Sequence, residues 1–351
     1  MFLIHKYSPS FIFESSINNQ ILAQLVHFAS HEDIPHVIIS GPRGGGKKTL
    51  VKFFLEALYG DGVNDISKTK YSISGSSKKN IIEVMQSNYH IVIEPTNTNH
   101  DKYILQEIIK QYAIHKTLNI FEKSRKFKTI VIYDIENLSV NSQAALRRTM
   151  EVYANTCRFV MVCNNLSKIF DPLRSRCRIF CVNQSSTDDI KCMIQHIAIK
   201  ENIKLTSKNM NNILENCNGN MKEAIWILDQ IRLNCYTTLP IYLALDNIVN
   251  IMMTVIKKNN IVTIFDKKIR HKIQDILTTT MSGSDIIIGI MDRLIKKINI
   301  DDININIIAI ASDAEFNLVF GRRNITHIDD FVARIMQELI ANKNRLEHLI
   351  T

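Results

Sequence analysis

The sequence predicts a parallel α/β domain in its first half and helices in its second half. Up to about residue 182, short runs rich in β-branched residues alternate with helical stretches, which is typical of a parallel sheet with crossover helices. These runs are almost continuously apolar, as expected for strands that are covered on both faces. The five predicted strands are His36 to Ser40, His90 to Glu94, Thr129 to Tyr133, Arg158 to Cys163 and Arg178 to Val182.

Helical spacing replaces the strand signal after the polar segment 184–189. Apolar residues recur every three or four positions from Ile190 to Ile197 and again from Met221 to Ile231, and this spacing predicts a small helical unit. The remainder contains few glycines and no proline after Pro240, which favours helices throughout. Residues 300–308 have no clear period, so their conformation stays open. The predicted domains are 1–183, 184–238 and 239–351.

Composition limits the classes of protein to consider. The chain has 351 residues, a net charge of +9 and 46% hydrophobic residues, so two or three globular domains are expected. No apolar run approaches a membrane span and no apolar leader opens the chain, which favours an intracellular protein without membrane contact. The seven cysteines form no C-x-x-C pair, so no metal site is predicted. Nearly all the net positive charge lies within residues 1–185, where an anionic partner is expected.

A cluster of glycines lies between the first predicted strand and a predicted helix from Leu50 to Leu58. The pattern G-x-x-x-x-G-K fits Gly41, Gly46 and Lys47, and this context is typical of a phosphate-binding loop. Backbone N–H groups and the helix N-terminus would surround phosphate oxygens, and the lysine would add a charge. The candidate nucleotide-binding residues are Gly41, Pro42, Arg43, Gly44, Gly45, Gly46, Lys47, Lys48 and Thr49.

Two departures from the motif predict a weakened site. The residue after the loop lysine should offer a hydroxyl to Mg²⁺, but it is Lys48, and Thr49 comes one position late. The strand that should end in two acids reads Tyr133-Asp134-Ile135. In one register, Asp134 takes the position of the acid that binds Mg²⁺ and Ile135 that of the acid that activates water. In the other register, Tyr133 takes the metal-binding position and Asp134 the water-activating one. Each register lacks one acid, so we expect ATP or ADP to bind with Mg²⁺ uncertain and hydrolysis slow or absent.

Three downstream segments resemble the small subunits of replication factor C, the AAA+ clamp loader. They are Asn141 to Glu151, Arg158 to Asn165, and Ser175-Arg176-Cys177. The resemblance covers nearly the whole chain. It implies an α/β AAA+ P-loop domain, a small helical lid domain and an all-α C-terminal collar domain for oligomerisation. It also implies a hetero-pentamer with other clamp-loader subunits that loads a sliding clamp onto primer–template DNA.

Further segments are similar to one subunit type, the ATPase-degenerate subunit at the end of the pentameric arc. These segments are Gly46 to Thr49, Ser87 to His90, Glu94-Pro95, Ile104 to Glu107 and His327 to Arg334, while the opening Lys6 to Pro9 departs from the family at Ser8. The spacing from Tyr133 to Leu138 and Gln143 then favours Tyr133 in the metal position, with Tyr133 and Asp134 as a degenerate acidic pair.

The resemblance also assigns roles to single residues. Arg176 would be an arginine finger for the ATP of the neighbouring subunit, although a basic surface of Arg174, Arg176 and Arg178 in an extended segment is the alternative. Asn164 matches the sensor-1 residue and Lys222 the sensor-2 residue of the lid. Without the resemblance, Asn164 is a turn residue and Lys222 a solvent-facing lysine.

Lys78 and Lys79 resemble the family's basic residues that face DNA phosphates. They precede a predicted helix from Asn80 to Gln86, and a solvated charged turn is the alternative. The implied location is the nucleus for a cellular protein or a viral replication compartment in the host cytoplasm for a viral one. The Asn-, Ile- and Lys-rich composition favours an AT-rich genome, which a large DNA virus fits.

Two other functions are alternatives to that of a clamp-loader subunit that does not hydrolyse ATP. In the first, the chain is a catalytically active AAA+ ATPase subunit of the same kind of loader, in which Thr49 and Asp134 serve after a local shift. In the second it is a P-loop kinase, which is disfavoured because no substrate lid is evident and because the sensor and Ser175-Arg176-Cys177 segments are present.

Overall fold

A computed structural model describes most of the chain and divides it into two compact units. The units are Met1–Leu233 and Asn234–Thr351; the division into three domains stays a prediction. The residues that the structure describes are 2–9, 18–73, 80–95, 108–114, 127–217, 219–233, 240–258, 269–278, 281–321 and 323–346.

A seven-stranded sheet forms the centre of the first unit. Its strands are β1 (His36–Ser40), β2 (Ser67–Ile73), β3 (Asn80–Gln86), β4 (His90–Ile93), β5 (Lys128–Ile132), β6 (Cys157–Cys163) and β7 (Cys177–Cys181). Their order across the sheet is β2-β3-β4-β5-β6-β1-β7. Strands β4, β5, β6, β1 and β7 run parallel, whereas β2 and β3 add an antiparallel edge. The predicted parallel α/β domain is therefore confirmed.

All five predicted strands are present, each with its ends within one residue of the prediction. The prediction of a helix over Asn80 to Gln86 is wrong, because this segment is β3 and pairs along its whole length with β2. The backbone groups of β3 find their partners in β2, which lies beside it in the sheet but was not predicted as a strand. Pairing across the sheet thus outweighs local spacing here.

The parallel strands are buried on both faces, as their apolar sequences predict. In β1 the side chains of Val37 and Ile39 belong to one core cluster and that of Ile38 to the other. Helices cover both faces, because helical residues contribute to both core clusters. The helices of this part are α1 (Leu3–Lys6), α2 (Asn19–Ala29), α3 (Lys47–Tyr59), α4 (Ile109–Ile114), α5 (Val140–Val152) and α6 (Asp171–Arg174).

Three further helices belong to the described part of the first unit: α7 (Thr187–Lys200), α8 (Ser207–Asn216) and α9 (Met221–Arg232). Helix α7 begins with a capping box between Ser186 and Asp189. The N-terminal segment packs on these helices. Leu3 is fully buried, its N–H donates to a carboxylate oxygen of Asp229 at 3.2 Å, and the ring of Phe2 lies 5.2 Å from that of Trp226. These contacts join the first residues of the chain to the three-helix part, which consists of α7, α8 and α9.

The second unit is helical in every segment that the structure describes. Residues 300–308, left open by the sequence, lie almost wholly in a 20-residue helix. A separate core, which includes Ile290, Phe331 and Ile335, holds the unit together. None of the described helices is long and apolar enough to cross a membrane. The helices are α10 (Pro240–Lys258), α11 (Arg270–Leu277), α12 (Gly283–Ile298), α13 (Asp301–Phe320), α14 (Asn324–Ala341) and α15 (Lys343–Leu346).

Two histidines of the first unit, the buried His90 and the half-buried His36, have lowered pKa values. Burial lowers the pKa of His36 and of His90 from 6.5 to about 4, and the charge of Arg158 adds to the effect at His36. Nδ1 of His36 accepts from the N–H of Phe159 at 3.2 Å, and Nδ1 of His90 lies 2.7 Å from Oγ of Ser87. Protonation of His36 at Nδ1 would break its hydrogen bond with the N–H of Phe159 in β6.

We therefore expect the free energy of unfolding to fall as the pH drops from about 6.5 to about 4. A group whose folded pKa is lowered binds its proton more tightly in the unfolded chain, so the loss begins at the unfolded pKa. Chemical denaturation across this pH range measures the effect. The double variant His36→Gln/His90→Gln should show a flatter profile, and an identical profile would contradict the assignment.

Candidate nucleotide-binding site

The phosphate loop joins the end of β1 to the start of α3. Gly44 and Gly46 both have positive φ angles, 77° and 85°, which side chains rarely tolerate. Gly46 is the N-cap of α3, so the free N–H groups of the first helical turn face the inside of the loop. A curved backbone before a helix N-terminus suits an anion.

The side chain of Lys47 lies inside the loop. Only 8% of this residue is exposed. Its Nζ donates to the carbonyls of Gly41 at 2.6 Å and Pro42 at 2.7 Å and to Oδ1 of Asn164 at 3.0 Å. Burial lowers the pKa of Lys47, while the nearby Cys163, Glu136 and Asp134 oppose the shift. A buried ammonium needs such partners, since the transfer of an unpaired charge from water is costly.

Asn164 connects this lysine to two carboxylates. It follows β6 directly, and its Nδ2 donates to Oε1 of Glu136 at 2.6 Å and to Oδ1 of Asp134 at 3.2 Å. Its backbone N–H also donates to Oε1 of Glu136 at 2.9 Å. Lys47 and Asn164, 117 positions apart, meet because β1 and β6 are neighbours in the sheet. Two predicted site residues thus belong to one hydrogen-bonded group.

Glu136 belongs to this group but was not predicted as a site residue. It lies in a short 3₁₀ helix after β5, and its buried Oε2 has no hydrogen-bond partner among the described residues. The residue as a whole is half-buried, and a buried polar atom without a partner requires an explanation. Its position after two other candidates, Tyr133 and Asp134, was the only available signal in the sequence.

Lys48 contacts two residues at the ends of β4 and β5. Its Nζ lies 2.8 Å from Oε1 of Glu94 and 4.6 Å from the centre of the Tyr133 ring. Burial, together with the charge of Glu94, raises the pKa of Tyr133 to about 12, so its phenol is neutral at physiological pH. Ile135, by contrast, is fully buried in the core below the sheet edge. The structure thus brings Tyr133, and not Ile135, beside the first turn of α3.

These residues do not fit Mg²⁺. The metal requires hard oxygen ligands, commonly a hydroxyl from the loop and a carboxylate from the neighbouring strand. The two positions hold the ammonium of Lys48 and the neutral phenol of Tyr133. An ammonium has no lone pair to donate and repels a cation.

The helical part of the first unit reaches the phosphate loop through Asn220. A Cβ atom added to Gly44 would lie 1.7 Å from Oδ1 of Asn220, so only glycine fits at this contact. The same oxygen accepts from the N–H groups of Lys222 and Glu223 and caps α9. Lys222 lies in the first turn of α9 and is exposed. Asn220 is a further residue of the site that the sequence patterns did not reveal.

Arg176 lies in a turn between α6 and β7, away from the phosphate loop's own side chains. Its Nε donates to Oε1 of Glu151 at 2.9 Å, and its Nη1 donates to the carbonyl of Pro172 at 2.9 Å. About a third of its side chain is exposed. The suggestion of one extended basic segment is wrong, since Arg174 ends α6 and pairs with Asp171 within that helix. The predicted DNA-facing pair, Lys78 and Lys79, lies outside the described residues.

The fold and the loop together define a P-loop protein of the AAA+ class. A parallel sheet, a phosphate loop after β1, a polar residue at the end of β6 and a three-helix part against the loop occur in the expected order. Comparison with known proteins then gives the family.

Two family models match the chain. Residues 17–186 match one described as DNA polymerase III, delta subunit, and residues 245–343 match the replication factor C subunit 3, C-terminal domain. A provisionally named replication factor C small subunit of Acanthamoeba polyphaga mimivirus is 56% identical over 345 residues, 98% of this chain and 93% of the relative. Replication factor C subunit 3 of Mus musculus is 29% identical over 95% of this chain and 94% of its own.

The chain belongs to the family of replication factor C small subunits. The relationship extends over 95% or more of the chain, and it confirms the resemblance of the sequence motifs to replication factor C small subunits. Among solved structures, the RuvB Holliday junction branch migration motor of Thermotoga maritima is similar with a TM-score of 0.46 and 15% identity, covering 72% of this chain and 80% of that one.

Asn164 offers a direct test of the buried group. Asn164→Ala removes one of the three acceptors of Lys47 and the side-chain donor to Glu136, so both side chains are left with fewer partners. We expect the free energy of unfolding to fall by about 2 kcal/mol, measured by chemical denaturation. Asn165→Ala is the matched control, because this neighbour is exposed and its side chain bonds, among the residues that the structure describes, only to Ser167. Equal losses in the two variants would argue against the buried group.

Proposed function

We propose that this chain is a subunit of a replication factor C-like clamp loader that binds ATP or ADP with weak or no hydrolysis of its own. The observation that carries the proposal is the combination of an ordered phosphate loop around Lys47 with Lys48 and Tyr133 where metal ligands belong. The loop supports nucleotide binding. The two replacements argue against the metal-assisted attack of water.

The same proposal gives Arg176 a role in the neighbouring subunit. Its turn lies at an exposed part of the first unit, and the guanidinium is planar and suited to phosphate oxygens. The pair with Glu151 is solvent-accessible, with 45% of the Glu151 side chain exposed. Such a pair is weakened by solvent screening, and Arg176 could therefore exchange Glu151 for a triphosphate presented by a neighbour.

The remaining assignments follow from the family. In this proposal Asn164 and Lys222 serve as the polar and basic sensors of nucleotide, and residues 239–351 join the chain to other subunits of a hetero-pentamer. The loader places a sliding clamp on primer–template DNA, and the basic first half, with Lys78 and Lys79, faces the DNA backbone. It acts in the nucleus or in a viral replication compartment; the similarity to the mimivirus relative favours the viral setting.

A catalytically active ATPase subunit is the second candidate. The carboxylates of Asp134 and Glu136 favour it, because both lie within hydrogen-bonding distance of Asn164 beside Lys47. One of them would have to activate water, and Thr49 would have to replace Lys48 at the metal.

Hydrolysis by the purified chain separates the two candidates. We expect ADP binding, measured by calorimetry, together with ATP turnover close to the background, because Lys48 and Tyr133 occupy the positions where metal ligands belong. Lys47→Ala should abolish binding, whereas Lys52→Ala, one turn further along α3 and paired with Glu56, should not. Mg²⁺-dependent turnover that disappears in Lys47→Ala would establish the active subunit instead.

A reconstituted loader tests the arginine finger. Arg176→Ala should lower hydrolysis at the neighbouring site by about 10³-fold or more, because a guanidinium stabilises charge on the transferred phosphoryl group. Assembly, followed by size-exclusion chromatography, should persist. Arg174→Ala is the control, since that side chain already pairs with Asp171 in its own helix. Unchanged hydrolysis in Arg176→Ala would eliminate the proposed role.

A further inference from the structure

Because the residues at this site do not fit Mg²⁺, the negative charges of a bound nucleotide require another positive group to offset them. A nucleotide brings several negative charges into the phosphate loop, and in related sites the metal offsets part of them. Here the first turn of α3 carries two consecutive lysines, and their side chains have different surroundings. Lys47 is 8% exposed and fully engaged with the loop and Asn164, whereas 65% of the Lys48 side chain is exposed.

Three separate elements position Lys48. Its backbone belongs to α3, its carboxylate partner Glu94 follows β4, and the ring of Tyr133 follows β5. Strands β4 and β5 pair in parallel with Ile93 beside Ile132, and the N–H of Tyr133 donates to the carbonyl of Ile93 at 3.0 Å. The ammonium therefore lies over the strand edge that would hold a metal.

We propose that the ammonium group of Lys48 takes the place of the divalent metal, so that this chain binds nucleoside di- and triphosphates as free anions. This inference rests on the proposed nucleotide binding at the phosphate loop. The long stem of Lys48 and its three donors let it turn from Glu94 to a phosphate oxygen next to the helix N-terminus. The neutral ring of Tyr133 supports the cation in either position.

A lysine differs from a metal in what it makes possible. An ammonium offsets charge on phosphate oxygens, but it does not bind a water molecule as a Lewis acid and does not lower the pKa of that water. The arrangement therefore holds a nucleotide without preparing it for hydrolysis. It also makes retention of the nucleotide independent of the concentration of free Mg²⁺.

Calorimetric titration of the full chain with ADP, once with MgCl₂ and once with EDTA, tests this inference. The wild-type chain should bind with dissociation constants that agree within about twofold. Lys48→Met, which keeps the stem and removes the charge, should weaken binding about tenfold in both solutions, or about 1.4 kcal/mol. Lys52→Met is the matched control on the same helix and should bind like the wild-type chain. Thermal unfolding verifies that the variants fold, as expected for exposed positions.

A gain of metal dependence provides a second measurement. In the double variant Lys48→Thr/Tyr133→Asp, the hydroxyl and the carboxylate return to the positions that bind metal in related loops. We expect this variant to bind ADP about tenfold more tightly with MgCl₂ than with EDTA, and the opposite or equal affinities would overturn the inference.

The outcomes for the wild-type chain separate this inference from the proposed function. Binding that is lost in EDTA but depends on Lys47 would overturn the role of Lys48 and leave nucleotide binding intact. An absence of ADP binding in both solutions would overturn the proposed nucleotide site itself. Binding in both solutions that Lys48→Met does not weaken would also eliminate Lys48 as the substitute cation.

Discussion

A buried ammonium group organises the candidate site. Lys47 is held by two loop carbonyls and by Asn164, and Asn164 is held in turn by Glu136 and Asp134. A charge in this position would be costly without partners, so the loop, the end of β6 and the segment after β5 must stay together. The parallel sheet makes this possible, because the carboxyl ends of its strands meet at one edge.

Two adjacent lysines differ in burial and in the groups that surround their ammonium groups. Lys47 points into the loop, where every donor finds an acceptor. Lys48 points to the strand edge, where Glu94 and Tyr133 hold its ammonium while most of the side chain stays accessible. The contacts of Lys48 therefore involve three elements, α3 and the ends of β4 and β5.

The sequence predicted the parts of the fold that depend on local composition. Apolar runs covered on both faces indicated β1, β4, β5, β6 and β7, and helical spacing indicated α7 and α9. The antiparallel edge was missed, and β3 was taken for a helix, since strands such as β2 and β3 are stabilised chiefly by each other. Glu94, Glu136 and Asn220 were not predicted as site residues for a related reason. Each lies far along the chain from the residue it contacts.

By itself, the sequence determined the class of the protein and the position of its phosphate loop, and it predicted that Lys48 and Tyr133 replace the usual metal ligands, because these features consist of residue types at short, regular spacings. Only the tertiary structure decided which acids surround Lys47, what holds Lys48 and how Asn220 meets Gly44. The physical reason is that these contacts join separate strand ends and helices. Their geometry follows from the order of strands in the sheet, which spacing along the chain does not encode.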